Sequence, residues 1–298
     1  MLPEQTVQII ANPVAGGGRG ATLARALEDC LRAGGYEVTR FETLKAGDAR
    51  GEAARARAEC VAVVGGDGTL NEVLNGLPEG TGARLAIVPA GTANVVAREL
   101  GMRPDAARAA RAIAGGNTIS MDVGQANGRR FLLGAGAGLD AAVVRGVHEA
   151  RGMRSSVLRW FGPGWRVVGA ARFPGIAVEV DGEPLASEAN YVVIGNCRYS
   201  AGIFPATPHA RVDDGLLDIC AFSGLTRARL AWLALNVWWP GYTDRPWIAC
   251  RQGRVVALRP ASEEPVDFQI DGDPAGILPA RVELAGWSLR MVVPPPKA

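Results

Sequence analysis

The sequence has no long apolar run and no excess of charge of one sign. No window reaches the ~18 uninterrupted apolar residues that a membrane-spanning helix requires, and residues 1–10 lack the basic and apolar regions of a signal peptide. Lysine and arginine number 32 against 30 aspartate and glutamate residues, so the clustered positive charge of a nucleic-acid-binding protein is missing. We therefore expect no transmembrane segment, no nucleic-acid partner and only peripheral contact with a membrane.

Cysteine and histidine are scarce and scattered. The two histidines have no partner at a catalytic spacing, so neither a Ser-His-Asp nor a Cys-His arrangement is predicted. The five cysteines are Cys30, Cys60, Cys197, Cys220 and Cys250. They show neither the paired spacing of a zinc site nor the even count of a secreted disulfide framework. This pattern predicts reduced thiols in a cytoplasmic protein.

The length and composition are sufficient for two domains with apolar cores, since 48% of the 298 residues are hydrophobic. Residues 1–125 alternate strand and helix patterns, which predicts a three-layer α/β domain with a mostly parallel sheet. Residues 126–298 carry short strands separated by turns, which predicts an antiparallel β-sandwich interrupted by helical segments. One alternative for this domain is that its last strand returns to the first domain.

The most informative stretch covers residues 61–72, where an apolar strand runs into a glycine turn. Gly65, Gly66 and Gly68 allow the backbone to turn tightly and to approach a ligand closely. A helix follows near Thr69, and its N-terminal N–H groups can bind an anion. Asp67 would need a cation to bridge it to a phosphate, so the stretch predicts a phosphate and Mg²⁺ site. An ordinary strand-to-helix turn with a solvated aspartate is the alternative.

Two further loops follow predicted strands of the first domain. Asn12 opens a glycine loop in which Arg19 can neutralise phosphate charge, and Thr92 and Asn94 follow Gly91 after the fourth strand. Because ligands bind at the carboxyl ends of parallel strands, we expect these loops to converge on one crevice. A flexible glycine turn and a helix cap are the simpler explanations for either loop alone.

The second half contributes carboxylates at turns. Asp271 and Asp273 flank Gly272 after an apolar strand, so Asp271 is either a general base for a hydroxyl acceptor or part of a common hairpin turn. A second acidic segment gives either a turn or a small cation site built from carboxylate and carbonyl oxygens. Its candidate ligands are Asp213, Asp214 and Leu216.

Six segments together resemble the diacylglycerol kinase catalytic-domain family, and more narrowly its soluble bacterial lipid kinases, relatives of sphingosine and ceramide kinases. The segments are Asn12-Pro13 with its glycine loop, Gly65 to Glu72, Pro89 to Arg98, Gly195 to Tyr199, Asp213 to Asp218 and Asp271 to Asp273. The resemblance spans almost the whole chain. It implies a two-domain enzyme of phospholipid metabolism that binds ATP and Mg²⁺ in the interdomain cleft and phosphorylates a lipid hydroxyl.

The resemblance also implies roles for individual residues. In the first domain, Asp67 organises the catalytic metal and the Gly65 to Thr69 loop holds phosphate. The residues implied to line the nucleotide site are Asn12, Arg19, Gly65, Gly66, Gly68, Thr69, Glu72, Gly91, Thr92 and Asn94.

Further carboxylates complete the implied site. Asp122 belongs to the metal and water network, Asp271 takes the hydroxyl proton, and Asp273 supports the metal or nucleotide. Asp213 or Asp214 with the Leu216 carbonyl matches a second cation site.

Three positions depart from the family pattern, namely Gly17 in place of lysine, Val95 in place of aspartate and Asp273 in place of glutamate. These departures favour one alternative, a nucleotide-binding regulatory module without turnover. A second alternative is an NAD kinase-like enzyme, because NAD kinases share the Gly-Gly-Asp-Gly turn. The lipid is also open among diacylglycerol-like, phosphatidylglycerol-like and sphingoid acceptors, as is a homodimer.

Two aromatic runs are candidates for lipid contact at the inner face of the membrane. One run covers residues 230–239 and contains three tryptophans, and the other covers residues 160–173. Tryptophan suits a boundary between polar and apolar surroundings. Packing of these helices on the sandwich explains the runs equally well.

Overall fold

A computed structural model describes residues 5–149, 174–199, 204–239 and 241–295. The chain forms two compact units. The first contains Met1–Val123 and Ala285–Ala298, and the second contains Gly124–Leu284. The sequence places the domain boundary after residue 125, two residues further along the chain.

The first unit is an α/β unit whose strands and helices alternate along the chain. Its strands are β1 (Thr6–Ala11), β2 (Glu37–Glu42), β3 (Cys60–Gly65) and β4 (Arg84–Pro89). Its helices are α1 (Arg19–Ala33), α2 (Asp48–Ala53), α3 (Asp67–Gly76), α4 (Val95–Glu99) and α5 (Ala106–Gly115). The four strands pair in parallel in the order β4, β3, β1, β2. The predicted mostly parallel sheet is confirmed.

Burial explains the apolar runs of the central strands. Every residue of β3 is buried, as are all but the first residues of β1 and β4, because helices cover both faces of such a sheet. Helix α1 contributes Ala24, Leu27 and Leu31, whose spacing places them on one face. The carboxyl ends of β1, β3 and β4 therefore rest on a well-packed scaffold.

Strand β5 (Thr118–Ala126) leads into the second unit, which is built from antiparallel strands. They are β6 (Arg129–Phe131), β7 (Gly134–Gly138), β8 (Ile176–Val180), β9 (Glu183–Gly195), β10 (Leu217–Ser223), β11 (Ile248–Gly253), β12 (Val255–Pro260), β13 (Asp267–Ile270), β14 (Asp273–Ile277) and β15 (Ala280–Val292). β15 ends in the first unit, where Met291 pairs in parallel with Leu85 of β4.

The second unit has a smaller buried apolar cluster that includes Phe222 and Tyr242, and its strands enclose a larger apolar core. Their order is β14, β13, β7, β9, β8, β12 and β15, and β10 with β11 extends from β9. Phe131, Phe268, Val192 and Ile219 are among the fully buried side chains of this core. The antiparallel β-sandwich predicted for this half is confirmed.

The sequence of strand β7, Gly-Ala-Gly-Ala-Gly, does not predict a strand, because glycine weakens a strand. The structure shows why this strand contains glycine, because neighbouring backbone atoms leave no room for a Cβ at two of its positions. A Cβ at Gly134 would collide with the carbonyl oxygen of Ile194, and one at Gly138 with that of Asn190. Two alanines of this strand, Ala135 and Ala137, lie in the core.

Two hairpins share the same turn chemistry. Asp181 and Gly182 join β8 to β9 with φ of 49° and 84°, and Asp271 and Gly272 join β13 to β14 with φ of 51° and 79°. Two successive positive φ angles characterise the type I′ turn that suits the strand twist. The two turns are therefore structural equivalents at different places in the unit.

The cysteine prediction was wrong for one pair. Cys220 of β10 lies directly opposite Cys250 of β11 and the two form a disulfide. Since 30 residues separate them, only the strand pairing reveals their proximity. The other three cysteines are free thiols. The predicted cytoplasmic location, which relied partly on reduced thiols, stays a prediction.

The helices of the second unit are α6 (Leu139–Glu149) and α7 (Arg227–Asn236). Although α7 is rich in leucine, alanine and tryptophan, none of its residues is buried. In the described ranges, every helix is too short or too polar to cross a bilayer. The aromatic run at residues 160–173 lies outside the described residues.

Candidate functional site

Three loops of the first unit meet at the carboxyl ends of β1, β3 and β4. A Cβ at Gly91 would lie 2.7 Å from the Cα of Gly66, and one at Gly16 would collide with the carbonyl oxygen of Ala90. The amide of Asn12 donates to the carbonyl of Val64 at 2.9 Å. Glycine is needed where one backbone packs so closely on another, so the composition of these loops follows from their convergence.

Asp67 is the first residue of α3, and its carboxylate faces the start of α4. Oδ1 accepts a hydrogen bond from the amide of Val96 at 3.3 Å. Burial raises the pKa of Asp67, and hydrogen bonds from the amides of Val95, Val96 and Asn94 oppose that rise. The carboxylate therefore caps α4 from the start of α3, while its charge carries a burial cost that a cation would offset.

The N-terminus of α3 provides donors suited to phosphate, whereas the first-turn amides of α1 are used within the preceding loop, where Gly20 donates to the carbonyl of Ala15 at 3.1 Å and Ala21 donates to that of Pro13 at 3.3 Å. Neither the N-cap residue of α1, Gly18, nor that of α3, Gly66, makes a side-chain cap. A Cβ at Gly68 in the first turn of α3 would meet nothing within 4 Å, so this turn is open. Unpaired first-turn amides and the helix dipole favour an anion. The residues of this edge therefore fit a nucleotide phosphate.

The predicted amide ligands are used largely within their own loops. Asn94 accepts from the amide of Gly91 at 3.0 Å and donates to its carbonyl at 2.8 Å. Asn12 Oδ1 accepts from the amide of Val14 at 3.2 Å. Both side chains shape loops, whereas Thr92 is exposed. Arg19 lies at the start of α1, where its Nε donates to the carbonyl of Gly16 at 3.2 Å.

Three other candidates of the first unit have identifiable surroundings. Glu72 accepts from the amide of Gly47 at 3.0 Å, so it caps the start of α2. Thr69 is buried with its side chain against Gly65. Asp122 lies half-buried on β5. The roles of Glu72, Thr69 and Asp122 toward a nucleotide or metal stay predictions.

In the second unit, Asp271 holds three consecutive peptide groups. Its Oδ1 accepts from the amides of Leu133 at 3.0 Å and Gly134 at 3.1 Å, and its Oδ2 accepts from that of Leu132 at 3.2 Å. The amide of Asp271 donates to the carbonyl of Gly134 at 2.9 Å. Asp271 is thus a structural residue whatever else it does.

Asp181 makes the same kind of contact at the equivalent turn. Its Oδ1 accepts from the amides of Arg254 at 3.0 Å and Val255 at 2.8 Å. Asp273 differs, since it is partly exposed and its Oδ2 lies 2.9 Å from the Arg129 guanidinium. Asp181 provides an internal comparison for the structural part of the role of Asp271.

The segment proposed as a second cation site forms a local turn. Asp214 Oδ1 accepts from the amide of Leu216 at 3.1 Å, and Asp213 lies 3.5 Å from Arg211. Burial raises the pKa of nearby Asp218. Among the residues that the structure describes, no three His, Cys, Asp or Glu side chains come together as a metal site. The cation role of Asp213, Asp214 and Leu216 stays a prediction.

Sequence reasoning missed two polar residues next to the Asp271 turn. Gln269 is 6% exposed on β13, and Asp140 lies in the first turn of α6. Gln269 Nε2 donates to Asp140 Oδ2 at 2.6 Å, and Gln269 Oε1 accepts from the amide of Gly272 at 2.8 Å. The one available signal was an aspartate two residues after a run of alternating glycines.

The fold and these features define a class of two-domain proteins that join an α/β unit with phosphate-type loops to an antiparallel β unit. Two family models match the chain: the diacylglycerol kinase catalytic domain at residues 6–126, and the YegS C-terminal NAD kinase beta sandwich-like domain at residues 134–293. The second model alone covers more than half of the chain. The chain therefore belongs to the family of this YegS C-terminal domain, and its residues 6–126 match the diacylglycerol kinase catalytic domain.

Individual relatives agree with this assignment over nearly full length. A diacylglycerol kinase of Staphylococcus carnosus is 29% identical over 92% of this chain and 90% of its own. One of Staphylococcus aureus is 29% identical over 92% of this chain and 87% of its own. The crystal structure of a diacylglycerol kinase from Bacillus anthracis superposes with a TM-score of 0.74 at 25% identity, covering 98% of this chain and 97% of that one.

The environment of Asp67 predicts opposite effects of two substitutions on stability in Mg²⁺-free buffer. Asp67→Ala removes the acceptor for the α4 amides and should cost about 1 kcal/mol, the usual loss for a helix cap. Asp67→Asn keeps an acceptor and removes the buried charge, so at pH 7.5 it should be at least as stable as the wild type. Urea unfolding of the three proteins measures the order.

The pH dependence of the stability difference tests whether the buried charge of Asp67 causes it. Because the pKa of Asp67 is raised in the folded state, the folded protein binds the proton more tightly than the unfolded chain. Its charge penalty is therefore present at neutral pH and disappears as the pH falls through that pKa. The advantage of Asp67→Asn over the wild type should shrink on acidification. A constant difference across this range would contradict the assignment.

Proposed function

We propose that this protein is an ATP- and Mg²⁺-dependent lipid kinase that transfers the γ-phosphate to a lipid hydroxyl. The observation that carries the proposal is the set of three converging glycine loops within the region that matches the diacylglycerol kinase catalytic domain. The full-length likeness to proteins named diacylglycerol kinase supports a lipid as acceptor.

The first unit would bind the phosphate donor. The open N-terminus of α3 would hold phosphate oxygens with backbone amides, and Arg19 would neutralise part of their charge. Asp67 would be the protein ligand of the metal. Mg²⁺ is commonly bound by one or two carboxylates together with substrate phosphates, so a single protein carboxylate here is sufficient. The bound ion would supply charge neutralisation on the transferring phosphate.

The second unit would supply the base. The lipid hydroxyl oxygen attacks the γ-phosphorus, and the bond from that phosphorus to the β,γ-bridging oxygen breaks. ADP leaves with the bonding electron pair, and the hydroxyl proton passes to Asp271. The products are the phosphorylated lipid and ADP. Positioning and charge neutralisation account for most of the acceleration in such reactions.

Two other functions compete with this proposal. An NAD kinase-like activity is favoured by the description of the second matching model as an NAD kinase beta sandwich-like domain. A nucleotide-binding module without turnover is favoured by Gly17, Val95 and Asp273, which depart from the family pattern. The three functions differ in the acceptor of the phosphate.

A phosphate-transfer panel separates them. Purified protein, γ-labelled ATP and Mg²⁺ are incubated with micelles of diacylglycerol, phosphatidylglycerol or sphingosine, and with NAD. We expect label in one lipid class, and removal of the divalent ion with EDTA should abolish the transfer. Thin-layer chromatography identifies the labelled product.

Two other results of the panel would each support one of the competing functions. Label in NAD alone would replace the lipid kinase with an NAD kinase-like enzyme. ATP binding by calorimetry without transfer to any acceptor would leave the regulatory module. Either result would overturn the proposal.

The base assignment requires a control because Asp271 also holds three backbone amides. In Asp271→Asn, one oxygen becomes an NH₂ group, which cannot accept the amide donors that Oδ1 and Oδ2 now share. We expect kcat to fall by at least about 100-fold, the usual contribution of a general base. The affinity for ATP should change little, and both are measured with the lipid identified by the panel.

Asp181→Asn is the matched control, because it makes the same change at the equivalent turn of the other hairpin. Both variants should lose comparable stability, but only Asp271→Asn should lose turnover. Retained turnover in Asp271→Asn would remove Asp271 from the mechanism. If Asp273→Asn alone lost turnover, the base would be Asp273.

We also propose that α7 and the residues after it contact the membrane that holds the lipid. Leu235, Trp238 and Trp239 are 82%, 55% and 52% exposed, which is unusual for large apolar side chains so close together. Residues 224–243 contain no acidic side chain, and Arg227 is exposed while Arg229 is half-buried. Exposed tryptophans beside arginines suit the interface of an anionic bilayer.

A charge reversal of the apolar surface tests this contact. Leu235→Glu should weaken sedimentation with phosphatidylglycerol vesicles about tenfold, because a carboxylate resists entry into the interface and repels anionic lipid. Leu44→Glu is the control, since Leu44 is 93% exposed on the first unit. Vesicle binding that is equal in the two variants would exclude α7 as the contact surface.

A further inference from the structure

The turn that carries Asp271 is tethered from a second direction by a buried amide. Gln269 Oε1 accepts from the amide of Gly272 at 2.8 Å, and its Nε2 donates to Asp140 Oδ2 at 2.6 Å. Gln269 thereby connects the start of α6 to the residue between Asp271 and Asp273. We call this connection, which runs from Asp140 through Gln269 to Gly272, the relay.

The chemistry of Asp140 fixes the direction of the relay. An ionised carboxylate only accepts hydrogen bonds, so the NH₂ group of Gln269 must face it and the amide oxygen must face Gly272. Burial raises the pKa of Asp140 to about 6, which leaves this group mostly ionised at neutral pH. An apolar residue at position 140 would leave the NH₂ group of Gln269 without this acceptor, so the side chain would be held by Gly272 alone.

Strand β7 leaves room for the relay. Gly136 pairs with Gln269, and a Cβ at this position would collide with Asp140 Oδ2 and lie 2.9 Å from Gln269 Nε2. The middle glycine of the Gly-Ala-Gly-Ala-Gly strand is therefore explained by these two side chains. In the relay, a strand residue, a helix residue and a turn therefore fit together closely.

We propose that Asp140 is a positioning residue that orients Gln269 and so holds the Asp271-Gly272-Asp273 turn in place for phosphate transfer. This inference rests on the function proposed above. Asp271 anchors the turn through its own carboxylate, and the relay anchors the next residue. Together the two tethers restrict the direction of the Asp271 and Asp273 side chains.

The kinetic test compares an apolar with a conservative variant. Asp140→Leu should lower kcat by about 10- to 100-fold with KM for ATP within about twofold, as expected when a reacting group is misplaced. Asp140→Asn can still accept from Gln269 and should stay within about threefold of the wild type. Gly136→Ala, which crowds the relay without removing either polar group, should resemble Asp140→Leu.

A stability control accompanies these variants. Asp105→Leu removes an aspartate that caps α5 by accepting from the amide of Arg108 at 2.9 Å. It should lower the melting temperature and leave kcat unchanged. A loss of kcat in Asp140→Leu that is matched by Asp105→Leu at equal destabilisation would show a general effect and overturn the inference.

Hydrogen exchange of the Gly272 amide measures whether the relay is intact, and this measurement needs no substrate. The Gly272 amide should exchange about tenfold faster in Asp140→Leu and Gln269→Leu than in the wild type, as expected for one lost hydrogen bond. Asp140→Asn should preserve the protection. NMR of the intact chain measures this even if no lipid is phosphorylated, so failure of the proposed function and failure of the relay are distinguished.

Two results would overturn the relay. One is Gly272 exchange in Asp140→Leu equal to that of the wild type. The other is loss of kcat in Asp140→Asn as large as in Asp140→Leu, because the conservative variant would then fail to rescue. If Asp140→Leu does not fold, Gly136→Ala and Gln269→Leu give the same two comparisons.

Discussion

Carboxylates that accept backbone hydrogen bonds hold the candidate site in each unit. Asp67 receives the amides at the start of α4, and Asp271 receives three consecutive amides before and within β7. In both cases an acidic side chain ties together segments that are distant in sequence. Each carboxylate therefore fixes the shape of the loop in which it would act. A substitution at either position changes geometry and charge together, which is why matched variants are needed to separate the two.

The three departures from the family pattern have different structural meanings. Gly17 has φ of 72° with nothing near a Cβ, so glycine suits its left-handed backbone and a longer side chain there would be strained. Val95 is 2% exposed, and it packs in the core at the start of α4, where a carboxylate would be costly. Asp273 pairs with Arg129, so its charge is used within the unit. The first two positions are explained by local structure, whereas the third bears on the site.

Periodicity and glycine placement were sufficient to predict the α/β unit, the convergence of its loops and the antiparallel unit. Both signals are local, because they arise from burial of alternate faces and from backbone turns. The disulfide of Cys220 and Cys250 and the bond between Gln269 and Asp140 could not be predicted, since each depends on strand or helix pairing between distant segments. The sequence does not predict strand β7, because glycine has a low strand propensity. Glycine is needed there because neighbouring atoms leave no room for a Cβ.

The return of β15 to the first unit affects how the protein is made. Leu289, Met291 and Val292 are fully buried, and Met291 pairs with β4, one of the strands that carry the nucleotide loops. During synthesis the edge of β4 stays uncovered until these residues, which follow the whole second unit, leave the ribosome. An uncovered edge next to an apolar core invites pairing with other chains. The α/β unit is consequently complete only after the entire second unit has been translated, and a fragment ending at residue 123 would lack one of its strands.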